Sequence, residues 1–364
     1  MADDLFSQML EMFNQPGPVN WKLAGEVTKQ LSGEPEPVDP WVAEEYRELT
    51  RLAQLKVNEG TDLPPGEALD ADPVDRATWA RQNLQSFRYL VEPLAEKLGN
   101  SLTSGPLEAL LKPLGPALLG MQMGAMVGFL SHRVFGQFDV GFPTAQQPAL
   151  LMVVPNIESF ARDEALDPRQ VRLWVALHEV VHQSEFTVPW VMPHFLDLIE
   201  RFLGGLKVDQ SGLMQRFEAL RDPEELQRIL EDPSGLTGLT STPEQRPTLE
   251  AIQAFMATIE GYAEFVVGRV GAELLPDLEG IRAAMARRRA EPTEDETMLD
   301  RVIGLEMNRD QYLIGARFCD DVTLRWGEQA LAAVWEQPEN IPTLVELEDP
   351  VAWTARVLLD DLFA

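Results

Sequence analysis

Between Trp174 and Gln183 an apolar helical run carries three titratable side chains, His178, Glu179 and His182. Val175, Leu177, Val180 and Val181 surround them, so the helix is expected to be largely buried. Two imidazoles and a carboxylate in such a helix are costly to bury without partners. Histidines four residues apart stand one above the other on a helix face. Both can reach one tetrahedral zinc ion, which would supply the missing partner. Glu179 is offset from His178 by about a third of a turn. It can touch a zinc-bound water without displacing a ligand, and the ion lowers the pKa of that water toward about 7. The spacing therefore suits a metal-activated water with Glu179 as its base. A pair of core histidines hydrogen-bonded to neighbours is the plainer alternative.

A third ligand is not found where metzincins carry it, because Glu185 and Val188 occupy the positions of their Gly and His. Another helix must provide it. Glu260 and Glu264 are one turn apart on a stripe with Met256, Ala263 and Val267. Two carboxylates on an apolar stripe repel unless a cation or donor lies between them. Their spacing resembles the gluzincin arrangement, in which the first Glu binds zinc and an acid one turn later orients a ligand His. A solvent-facing acidic pair is the alternative. His194, which follows Pro193, is a rival ligand, or a group lining the cleft and donating to an oxyanion. Tyr312 and Arg309 could fold over the cleft, and Arg287 to Arg289 could clamp a substrate carboxylate or form a solvated helix end.

Charge narrows the partners. With 59 acidic and 30 basic side chains the net charge is −29, which repels nucleic-acid backbones and anionic membranes. A peptide or protein substrate is compatible with it. Cys319 is the only cysteine, so no internal disulfide can form, and a reducing cytoplasmic location is expected. The acidic start at Asp3 and Asp4 is unlike a secretory signal, and Leu5 to Phe13 reads as a short amphipathic helix. The uncharged stretch from Pro113 to Ser131 carries Gly120, Gly124 and Gly128 at four-residue spacing. It is too short and too rich in Gly, Met and Gln for a membrane span, and reads as a buried helix packed closely on a neighbour.

Breaker residues mark loops over 32–40, 60–73, 231–247 and 291–296. Helical periodicity covers 42–57, 76–98 with a break near Pro93, a helix opened by Asp167 and Pro168, 248–275, and one or two helices over 299–335. Residues 149–154 form the best strand, with 138–143 as its expected partner. The fold class is mainly α with a minor β-sheet. An N-terminal helical region over 1–110 and a metal-binding region over 111–364 are expected to form one continuous unit.

Taken together, these segments resemble the zincin-like metallopeptidase type 2 family, once a domain of unknown function. One of its branches is named for coenzyme F420 biosynthesis. The resemblance rests on Gly17 to Trp21, Gly120 to Gly124, Asp139 to Pro143, Val154 to Ile157, the His178–His182 helix with Pro189 and Trp190, Glu260 to Glu264, Gln311 to Gly315, and Pro338 to Thr343. It implies a zincin-like helical fold, zinc ligands His178, His182 and Glu260, and Glu179 as base. Relatives often carry His where this chain has Tyr262 and Asp where it has Glu264. Three functions follow: a zinc-dependent hydrolase acting on peptides, a catalytically silent protein with a structural or regulatory metal site, and a partner-binding accessory protein.

Overall fold

Two helices of the core start with the same chemistry. Asp39 and Asp167 each precede a proline, and each carboxylate accepts hydrogen bonds from the first backbone amides of the helix that follows. The computed structural model describes residues 17–65, 69–139 except 103–107, 150–205, 207–208, 239–240, 245–290 and 309–358. Residues 5–13 and 291–296, and most of 231–247, lie outside the described residues.

The chain runs α1 (Trp21–Ser32), α2 (Pro40–Gly60), β1 (Ala71–Val74), α3 (Arg76–Ser86), α4 (Arg88–Leu102), α5 (Glu108–Leu130), β2 (Leu150–Val153), α6 (Val154–Asp163), α7 (Pro168–Thr187) and α8 (Val191–Gly205). It continues through β3 (Lys207–Val208), β4 (Leu239–Thr240), α9 (Arg246–Leu274), α10 (Leu278–Ala290), α11 (Arg309–Trp326), α12 (Glu328–Ala332), α13 (Leu344–Glu348) and α14 (Pro350–Leu358). The fold is mainly α. β1 and β2 pair in parallel, and β3 pairs with β4 antiparallel.

Three details differ from the sequence reading. Ala71 to Pro73, the end of the stretch read as a loop over 60–73, form with Val74 the partner strand of β2. Pro73 is tolerated because β1 is an edge strand. Of the expected partner, 138–143, residues 140–143 lie outside the described residues; just before it, Gly136 makes a single antiparallel bridge to Met152. The helix over 76–98 is interrupted at Phe87, and Pro93 lies inside α4.

The glycine stripe of α5 has a direct structural account. A Cβ on Gly120, Gly124 or Gly128 would come closer than 3.0 Å to atoms of Asn20, Ala24 or Leu31, so bare backbone is what lets α1 and α5 touch. No helix among the described residues is long and apolar enough to cross a membrane.

Helix α7 lies at the centre. From Val171 to Glu185 every residue but Arg172 is buried, because α2, α6, α8 and α9 all pack against it. Arg172 anchors its first turns. The guanidinium donates to both oxygens of Glu158 at 2.7 Å, pairs with Glu45, and lies over the Tyr46 ring, while the Tyr46 hydroxyl donates to Glu158 at 2.8 Å. This network ties α2 and α6 to the helix that carries the motif.

Candidate metal centre

His178 and His182 project from the same face of α7, their rings edge to face at 4.5 Å between centroids. Trp174, one turn earlier on that face, stacks on His178 at 5.3 Å. The long helix α9 crosses this face and presents Glu260, whose Oε2 is 4.0 Å from His178 Nε2 and 3.8 Å from His182 Nε2. One ligand atom from each residue lies within 4.8 Å of the others, so the three could hold a metal ion. All three are buried. Two imidazole nitrogens and a carboxylate oxygen are a donor set suited to a divalent transition metal.

The position of Glu260 depends on a neighbouring contact. Next to it, Gly261 meets Gly315 of α11 backbone to backbone. A Cβ on either glycine would come closer than 3.0 Å to the other helix. α9 therefore has no side chain at this crossing, and its register against α11 is fixed by main-chain contact.

Glu179 is only 1% exposed and faces a turn that follows α5. Its Oε2 accepts the Phe138 N–H at 2.9 Å. A Cβ on Gly136 would overlap the carboxylate, so glycine is required for this close approach. The turn itself is held by Trp79 Nε1, which donates to the Gly136 carbonyl at 3.0 Å, and by Gln137, which donates to Asn83 at 3.0 Å. Burial pushes Glu179 well above the usual carboxylate range; the backbone donors of Phe138 and Gln137 oppose this, and the charges of Asp139 and Glu260 add to it.

Glu185, read in the sequence only as the absence of a metzincin Gly, is also part of this site. It is fully buried, and its Oε2 lies 2.7 Å from His182 Nδ1. Burial first, then the Glu260 charge, raises its pKa well above the usual range. The available signal was its spacing, three residues after His182 on the same helix.

The other sequence candidates fall elsewhere. Glu264 pairs with Arg282 of α10, its Oε1 accepting from the guanidinium at 3.0 Å, a full opposite charge that the sequence could not place. His194 is outside the metal-binding triad and packs between Trp190 and Phe255. The Tyr312 side chain lies outside the described residues. Tyr262 packs edge-on against Trp335 at 4.9 Å. The basic run is used internally: Arg287 pairs with Glu164, while Arg288 lies over the Phe135 ring and donates to the Arg133 carbonyl.

A helix with two histidines and an intervening Glu, crossed by a second helix bearing a Glu, is the arrangement of residues expected of a zincin-type centre. The comparisons agree with the geometry. The chain belongs to the zincin-like metallopeptidase family, whose profile matches residues 19–354. It is also similar, at 28% identity and a TM-score of 0.67, to a crystal structure from Chloroflexus aurantiacus described as a putative hydrolase with a novel fold. That match covers 93% of this chain and 98% of the other. Comparison with curated proteins returned no match.

Proposed function

We propose that the protein is a zinc-dependent hydrolase acting on peptides or proteins, with zinc on His178, His182 and Glu260 and Glu179 as base. The observation that carries the reading is the convergence of three buried ligand atoms from two helices. Glu260 Oε2 lies 4.0 Å from His178 Nε2 and 3.8 Å from His182 Nε2, and this donor set would hold a zinc ion. When bound, zinc supplies Lewis acidity and lowers the pKa of a water. Glu179, on the same helix as the two histidines, would serve as the base that accepts a proton from a water and passes it to the leaving group. The backbone N–H of Phe138 holds the carboxylate in one orientation and opposes, without cancelling, the rise in its pKa that burial causes. The hydrolase description of the structural neighbour supports the same class.

A charge of −29 makes nucleic acid and anionic membranes poor partners, and a single buried cysteine suits the cytoplasm. One observation favours a second reading, a structural or regulatory metal site without turnover: Glu179 is almost fully enclosed and already hydrogen-bonded. Incubating the zinc-loaded protein with a mixed peptide library separates the two. Cleavage that Glu179→Gln abolishes while still binding zinc supports the hydrolase. Stoichiometric zinc with no cleavage supports the silent site.

A further inference from the structure

A carboxylate with no exposed surface needs a physical reason to be there. Glu185 is 0% exposed, and among the described residues no Lys or Arg pairs with it. Its one hydrogen-bonded neighbour is His182 Nδ1, at 2.7 Å. On the far side of the same ring, Nε2 faces Glu260. The imidazole thus lies between two carboxylates, each addressing a different nitrogen.

We infer that Glu185 is a positioning residue of the metal centre, holding His182 as the Nδ1–H tautomer so that Nε2 presents its lone pair to the ion. This rests on the zinc-site reading above. The tautomers are distinguishable in consequence. If Nδ1 carries the proton it donates to the Glu185 carboxylate, and Nε2 is available as a ligand. If Nε2 carries the proton, it points at Glu260 and cannot bind a metal. On this account Glu264, the acid that the helix spacing suggested for orienting a ligand, is replaced by an acid on the histidine helix itself.

The test is zinc affinity, measured on the full chain by competition with a chromophoric chelator. Glu185→Ala is expected to weaken zinc binding by about 10–100-fold. Glu185→Gln should weaken it less, because the amide oxygen still accepts from Nδ1–H but carries no charge. Glu264→Gln should leave affinity unchanged, since that residue serves Arg282. Thermal melts in chelator give the readout that a merely structural role would move. The metal-free Glu185→Gln protein should melt no lower than the unmodified protein, because a buried carboxylate has been removed. Cobalt substituted for zinc should show altered visible bands in Glu185→Gln. Unchanged zinc affinity in both Glu185 variants overturns the inference and leaves the metal site standing. A lower melting temperature without chelatable metal, with unchanged affinity, makes Glu185 structural and also overturns it. Absence of zinc binding by the unmodified protein overturns the site reading itself.

Discussion

Two polar clusters lie on α7, one part-buried around Arg172 and one buried around His182, and they are balanced differently. Around Arg172, one guanidinium serves two carboxylates, Glu45 and Glu158, and a phenol, Tyr46, and the ion pairs are made entirely by the chain. The Glu158 carboxyl is held below its usual range despite burial, because Arg172 and Tyr46 donate to it. Around His182 the carboxylates of Glu179 and Glu185 are instead pushed up by burial and by the charge of Glu260. The first cluster is complete as folded. The second is a set of carboxylates whose charged forms burial disfavours and a bound cation would favour. A charge network with its own arginine fixes a helix, whereas one built of carboxylates and histidines is fitted to a ligand.

The largest effect expected to separate them is metal-linked stability. Zinc at a thousandfold excess over its Kd should raise unfolding free energy by about 4 kcal/mol. Denaturant titration should find that gain absent in His182→Ala. Next, Arg172→Ala leaves the part-buried Glu158 and Glu45 without their cation and should cost about 2 kcal/mol. The loss should be equal with and without zinc; a loss seen only in the zinc-bound form would merge the two clusters into one. A smaller contrast comes from glycine crossings. Gly261→Ala and Gly124→Ala each force a Cβ into a facing helix, and each should cost about 2 kcal/mol. Only Gly261→Ala should also weaken zinc binding, because only that crossing sets the height of Glu260. Calorimetric titration of both variants checks this.

The smallest effect concerns His194. Burial first, then Arg201, lowers its pKa below the unfolded value of about 6.5. The unfolded state therefore binds the proton more readily. The stability involved is fully present above the unfolded pKa and is lost as pH falls through the folded one. His194→Gln should flatten that part of the stability–pH curve without changing zinc affinity. A change in affinity would return His194 to the metal site.

Much of this was readable in the chain because its signals are local. Asp167, Pro168 and the apolar run after them specify α7, and helix periodicity puts His178 and His182 on one face. The glycine stripe announced a close helix contact, though not that α1 would be its partner. What the sequence hid depends on long-range partners. β1 looked like a loop because Asp72 and Pro73 are turn-type residues, and only pairing with β2 makes the segment a strand. The spacing of Glu260 and Glu264 suggested a ligand and an orienting acid, and the pairing of Glu264 with Arg282, eighteen residues beyond it, had no local signal. The Gly136 approach to Glu179 spans more than forty residues and follows from no local pattern.

The central claim is that His178, His182 and Glu260 hold one zinc ion, and X-ray absorption at the zinc edge of the purified, zinc-loaded protein tests it most directly. The account predicts one zinc per chain, with two imidazoles and one or two oxygen ligands at about 2.0–2.1 Å. One imidazole should be lost from that signature in His178→Ala. A well-folded protein that takes up no zinc, or one whose zinc retains both imidazoles in His178→Ala, would contradict it.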